Sequence, residues 1–340
     1  MVKPIIKYEQ LDLKELSKKS YGDDLELETR VAEIISLVKK QGDKALRELT
    51  LKFDGVDLAE TGIKVTRTEF ESAYKQVSQG FLKALRQAKE NIKEYHERQK
   101  RNSWLKTADD GTVMGQLIRP LQRVGIYVPG GTAAYPSSVL MNALPAAVAG
   151  VEQIVMVSPP RPDGSVSPQV LVAAAECGIE EVYKIGGAQA IAALAYGTET
   201  ISPVDKITGP GNIYVTLAKK QVYGIVDIDM LAGPSEILIL ADHTGQPEEL
   251  AADLLSQAEH DELASAILIS PDRALLENTV KEVERQIKLL PRSEIAEKAW
   301  EKYGAAILVR DLEQGMDLVN KIAPEHFELV VEDPFSWLGK

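Results

Sequence analysis

Cysteine is nearly absent: Cys177 is the only one in 340 residues. A lone thiol cannot close an internal disulfide, so a secreted fold held by cross-links is excluded. Positive charge is also short. Lys and Arg number 39 against 51 Asp and Glu, a formal net charge of -12. Nucleic-acid binders need a basic face to neutralise phosphates, and anionic membranes attract similar basic clusters, so neither partner is expected. Long apolar runs are missing too. The longest, residues 139–151, is broken by Asn142, Pro145 and Gly150 and falls short of the roughly 20 residues that span a bilayer. Met1-Val2-Lys3-Pro4 leads into charged sequence with no apolar signal core. A cytoplasmic location is the expectation.

What is present is ordinary globular material, 44% hydrophobic and 26% charged, in a chain long enough for two or three domains. Val31, Ile34, Ile35 and Val38 form a helical stripe over residues 27–40. Helical pattern resumes at 45–53 after Gly42-Asp43. It runs on as a charged, solvated stretch at 69–100 with a break near Gly80. From Arg123 the character changes. Strand-like runs at 124–128, 153–158, 181–185 and 206–208 alternate with helical segments at 137–149, 169–177, 188–196 and 212–222. A second series has strands at 237–240, 266–270, 305–309 and 327–331, with helices at 248–259, 274–289, 293–303 and 312–322. Such alternation predicts parallel sheets covered by helices. The expected fold is α/β: two Rossmann-like modules with parallel sheets, plus N-terminal helices, with the modules joined near Gly233-Pro234-Ser235. An arm at 1–25 precedes one module made of 26–122 plus 236–340, in which the N-terminal helices decorate the sheet. The other module is 123–235.

Glycine follows three strands of the 123–235 module: Gly130-Gly131, Gly186-Gly187 and Gly209-Pro210-Gly211. Glycine there lets backbone approach a ligand at the carboxyl edge of a parallel sheet, where helix N-termini favour phosphate. One such turn is only a tight connection; three on one edge favour a nucleotide or dinucleotide. None has the G-x-G-x-x-G order. In the other module Gln257 and His260 are three apart on an expected helix, one face of which carries Leu250, Ala251, Leu254, Leu255 and Ala258. Imidazole is a good zinc ligand and an amide oxygen an unusual one. Two groups make half a tetrahedral site, and an exposed helical histidine is the plainer reading. Glu325-His326 lies just ahead of a strand. It could supply a carboxylate and an imidazole, or be only a polar turn. Neighbours in extended chain point apart, so the two share a site only if the chain bends there. Cys177 is expected as a small packed side chain, and His96 and His243 as surface residues.

Taken together, several stretches resemble histidinol dehydrogenases. They are Arg123 to Gly131 with Tyr135-Pro-Ser-Ser-Val139, Gly186 to Ile191, Lys206 to Asn212, Asp229 to Glu236, Leu254 to Asp261, and Ala323 to Leu329. The order of these motifs runs over nearly the whole chain. The resemblance implies a zinc- and NAD-linked four-electron oxidation of L-histidinol to L-histidine through the aldehyde, and a homodimer. It implies that Tyr127, Gln189 and Asn212 contact NAD, that Gln257 and His260 bind zinc, and that Ser235, Gln257, His260 and His326 contact substrate. His326 would take the alcohol proton and Glu325 would activate water. The 123–235 module becomes the NAD side and the other the zinc and substrate side. Zinc would mainly hold the reacting carbon in place, while NAD supplies the redox chemistry. Family members continue past Lys340 with a Gly-Asp-Tyr stretch and a late histidine, the latter from the second subunit, that complete the zinc site. No Gly-Asp-Tyr occurs in this sequence, so weak zinc retention and impaired activity are expected. A non-catalytic nucleotide-binding module, or oxidation of another amino alcohol or a sulfonated alcohol, are the alternatives. The catalytic account requires the Gln257/His260 segment and the Glu325-His326 loop to converge.

Overall fold

The computed structural model describes residues 3–12, 25–130, 134–231 and 233–340. Gly131 of the first glycine pair, Ala232, and most of the expected arm lie outside them. The chain divides into two compact units, Asp24–Ala232 and Met1–Asp23 with Gly233–Lys340.

The Asp24–Ala232 unit is built on strands β4 (Arg123–Tyr127), β5 (Gln153–Val157), β6 (Glu181–Tyr183), β7 (Lys206–Thr208) and β8 (Asp227–Ile228). They are parallel, in the order β6-β5-β4-β7-β8. Relative to β4 this is the doubly wound order 3-2-1-4-5, so chain direction across the sheet reverses between β4 and β7. Alternate residues serve opposite faces. Tyr127, Val155, Val157 and Tyr183 join one core with helices α1 (Leu25–Gln41), α2 (Asp43–Asp54), α8 (Gly187–Tyr196) and α9 (Ile213–Val222). Ile126, Met156 and Val182 join the other. There they meet α4 (Arg67–Gln76), α5 (Gln79–Glu97), α6 (Pro136–Ala149) and α7 (Pro168–Glu176), the short α3 (Leu58–Thr61) having preceded α4.

This corrects the expected domain assignment. The helices of 25–97 cover the 123–232 sheet rather than the sheet that follows Gly233. Their stripes, with Val31 and Val38 fully buried, show that a helix buries one face; they do not say against which sheet. The link continues through backbone. Lys64 bridges Tyr183 antiparallel, with Val65 N–H donating to Val182 O at 2.8 Å. That bridge covers the β6 edge, which would otherwise offer unpaired backbone. The break in the charged helical stretch falls at Val77-Ser78, ahead of Gly80, because the Ser78 hydroxyl caps α5 by accepting from Phe81 N–H. An unanticipated hairpin, β2 (Trp104–Thr107) with β3 (Val113–Gln116), is exposed along both strands.

The second unit carries β1 (Ile5–Lys7), β9 (Glu236–Ala241), β10 (Ser265–Ser270), β11 (Ala305–Leu308) and β12 (His326–Val330), parallel in the order β1-β11-β10-β9-β12. The edge strand β1 comes from the expected arm, which sequence patterning left without a strand. Helices α10 (Pro247–Ala258), α11 (Arg273–Ile287) and α12 (Ser293–Tyr303) cover the face carrying Ile237, Ile239, Leu268 and Ala306. Helix α13 (Leu312–Ile322) covers the opposite face with Leu238, Leu240, Ile267 and Ile269.

Candidate active site

The carboxyl ends of β4 and β7 form the crevice where a doubly wound sheet takes its ligand, and the expected NAD contacts gather there. Tyr127 closes β4. Its phenol is buried, and its oxygen accepts from Gly187 N–H at 3.1 Å. Burial pushes its pKa up to about 12, so it stays a neutral donor and acceptor. Gly187 opens α8 at φ +62, and a Cβ there would stand 2.8 Å from Gln189 Oε1. The α8 N-cap, Gly186, makes no side-chain cap, and the Gln189 side chain is buried in the first turn. After β7, Gly209 adopts φ +118, with room for no Cβ: one would lie 2.1 Å from Tyr127 O. Asn212 caps α9, its Oδ1 accepting from Tyr214 and Val215 N–H at 3.1 and 3.2 Å.

Two residues that sequence reasoning missed clamp this last turn. Gly209 N–H donates to Asp229 Oδ2 at 2.8 Å, Lys219 Nζ donates to Gly209 O at 3.0 Å, and Lys219 pairs with Asp229. A signal existed for Lys219: it stands between Val215 and Val222 on the apolar stripe of α9 and is buried. Asp54, the last residue of α2, was missed as well. Its Oδ2 is buried without a hydrogen-bond partner, and desolvation raises its pKa to about 6.

In the second unit the expected catalytic residues lie at the opposite end of the strands, the amino edge. Glu236 opens β9, and the backbone carbonyl of the half-buried Ser235 just before it accepts from Ser265 N–H at 3.0 Å. His326, the first residue of β12 rather than a residue ahead of it, pairs with Ile237. Glu325 and His326 do share one place: Oε1 and Nε2 are 3.9 Å apart and both side chains are exposed. The bend comes just before them. Ala323 sits at φ 49, the only non-glycine residue with positive φ among those described, and Pro324 follows. Alanine pays steric energy in that conformation.

Gln257 is buried near the end of α10. His260 falls on the turn beyond the helix, exposed, its N–H donating to Gln257 O at 3.1 Å. Helix α10 and strand β12 are neighbours. Glu328 of β12 meets Asp253 of α10, and its pKa is raised by burial and by that neighbouring carboxylate. A crossover helix between parallel strands runs against them. One turn on from Asp253 along α10 is Gln257, about 6 Å nearer the amino edge. One pleat back from Glu328 is His326, about 7 Å nearer that edge on the same face. Gln257 is therefore level with His326. No group of three His, Cys, Asp or Glu side chains that could hold a metal occurs among the described residues. Gln257 and His260 are the residues expected to ligate zinc, and a tetrahedral site takes four donors.

A shallow hollow of about 700 Å³ opens at the carboxyl edge of the second sheet, bounded by Asp242, His243, Asp272, Arg273, Arg310 and Asp311. Its groups are already engaged. Asp242 accepts from Thr244 and Glu332 N–H, Asp272 and Asp311 cap α11 and α13, and Arg273 and Arg310 pair with Glu277 and Asp311. The expected catalytic residues lie at the other edge. Cys177 is packed as expected, burial raising its thiol to about 11. His96 bonds Gln99 at 2.7 Å on α5, and His243 lies in a turn.

The chain matches the family model for histidinol dehydrogenase over residues 17–340. It is 60% identical over 333 residues to the histidinol dehydrogenase of Moorella thermoacetica, covering 97% of this chain and 78% of that protein. It is 56% identical over 319 residues to that of Halalkalibacterium halodurans, covering 94% and 74%. The crystal structure of histidinol dehydrogenase from Elizabethkingia anophelis superposes with a TM-score of 0.91 at 38% identity, covering 98% of this chain and 78% of that one. Motif order, the two doubly wound sheets and these matches agree: the chain belongs to the histidinol dehydrogenase family.

Proposed function

We propose that the chain oxidises L-histidinol to L-histidine through the aldehyde, reducing two NAD in turn, with zinc as a further cofactor. Supporting this reading, Glu325 and His326 lie 3.9 Å apart at the start of β12, and that strand, through Glu328, meets Asp253 of the helix that carries Gln257. The β4/β7 crevice fits a dinucleotide, because Gly209 leaves no room for a side chain and the α8 N-cap is itself a glycine, Gly186. Bound NAD supplies the hydride acceptor. Tyr127, Gln189 and Asn212 would hold it; the Asn212 cap uses only Oδ1. Gln257 and His260 would ligate zinc, and with two donors from this chain no catalytic step is assigned to the metal.

The proton chemistry follows from the side chains. His326 Nε2 takes the proton of the alcohol oxygen as hydride leaves the carbon, yielding aldehyde. Glu325 then removes a proton from water as it adds to the aldehyde carbon. The hydrate loses a second hydride and its proton to give the carboxylate. Ser235 and Gln257 orient the substrate. No described helix is long and apolar enough to cross a membrane. The test is NADH production with L-histidinol and added zinc, followed by absorbance. Two NADH per histidinol are expected. Absence of turnover with histidinol alongside turnover of another alcohol would replace the substrate, and NAD binding with no turnover of any alcohol would leave a nucleotide-binding module.

A further inference from the structure

We propose that the Asp54 carboxylate receives a ribose hydroxyl pair of the dinucleotide, beside Tyr127 and the Gly186-Gly187 turn. The proposal rests on the NAD reading of that crevice. Asp54 stands where unliganded protein gains nothing from it. It ends α2, next to the left-handed Gly55 at φ 71, so its charge faces the negative end of the helix dipole. Its Oδ2 is buried with no hydrogen-bond donor, although buried polar atoms are almost always partnered. Burial is the cause of its raised pKa, with no cation offsetting it.

Its position gives the cost a purpose. Helix α2 packs on α8, and Leu46, Leu49 and Val56 around Asp54 share one core with Tyr127 and Ala188. The charge of Asp54 reaches the Tyr127 phenol, further raising its pKa. That phenol in turn accepts from Gly187 N–H at the start of α8. An acceptor-only group therefore adjoins the turn where a helix N-terminus favours phosphate. A carboxylate in that setting repels phosphate and accepts from hydroxyls, and a ribose offers two adjacent ones.

Binding of NAD and of NADP, read by calorimetry on the unsubstituted chain and on Asp54→Asn and Asp54→Ser, tests the proposal, with thermal melts in the absence of ligand. Both variants should bind NAD roughly ten- to hundredfold more weakly. Without ligand at about pH 8, Asp54→Asn should melt higher than the unsubstituted chain. That gain should shrink as pH falls below about 6 and be lost only below the ordinary carboxyl value of 3.8, where the folded and unfolded states are both protonated; Tyr127, the titratable neighbour, is neutral throughout. If the adenosine ribose is the one held, the preference for NAD over NADP narrows in the variants. If it is the nicotinamide ribose, both cofactors weaken alike. Unchanged NAD affinity in either folded variant overturns the proposal. Failure of the unsubstituted chain to bind NAD overturns the cofactor reading itself, and this inference with it.

Discussion

Glu325 and His326 are chain neighbours assigned to different oxidations, and substitution can separate them. His326→Asn keeps a polar side chain of similar reach and removes the base. Turnover should fall by roughly 10²- to 10⁴-fold in single-turnover measurements, with histidinol binding retained; an unchanged rate removes the base role. Glu325→Gln should leave the first hydride transfer and slow the second, so NADH per histidinol drops from two towards one. Both residues depend on Ala323, whose left-handed conformation turns the chain out of α13 and brings Oε1 and Nε2 within 3.9 Å. In extended chain they would point to opposite sides, which is why their partnership was conditional in the sequence.

The working parts of the first unit are βα turns rather than regular elements. Strand β7 delivers Gly209, helix α9 delivers Lys219, and the segment after β8 delivers Asp229; the three close on one another. Lys219 is buried, so Lys219→Met would leave Asp229 with its hydrogen bonds but without its cation. Breaking a buried pair typically costs about 3 kcal/mol or more, and chemical denaturation should show a loss of that order. KM for NAD should rise more than kcat falls, because the turn carrying Asn212 loses its anchor. Lys219→Arg should recover part of both, and equal stability of Lys219→Met and the unsubstituted chain would show the clamp to be idle. In the second unit the same architecture is used from its other end. The β9 and β12 starts carry the proposed catalytic residues, while the carboxyl edge holds a hollow of paired groups.

The stability of the whole molecule carries two opposed pH signatures. Arg123 binds Glu181 across β5, with Tyr183 donating to the same carboxylate, and these bonds hold the Glu181 pKa down at about 2. A depressed carboxyl stabilises the fold above its unfolded pKa near 4.5 and loses that contribution as pH falls through about 2. Asp54 does the reverse: its raised pKa makes its penalty grow as pH rises towards 6. The net charge of -12 adds self-repulsion that relaxes on acidification, so only a comparison with a variant isolates the clamp. Denaturant midpoints of Glu181→Gln and the unsubstituted chain should differ most above pH 5 and converge near pH 2. A gap independent of pH would show that the carboxylate charge is irrelevant there.

Sequence alone determined the two α/β modules, their junction near Gly233, the three glycine turns and the family, because hydrophobic period and turn chemistry are local properties. It also singled out Tyr127, Gln189, Asn212, Gln257, His260, Glu325 and His326 once their motifs were read together. Only the tertiary structure decided which sheet the helices of 25–97 cover, since an apolar stripe does not name its partner. The same holds for β1, three residues long and recognisable only through its pairing with β11, and for the level of Gln257 with His326, which arises where α10 meets β12. Asp54 and Lys219 acquired their importance in the same way: burial and lost or gained partners are set by segments far away in the chain.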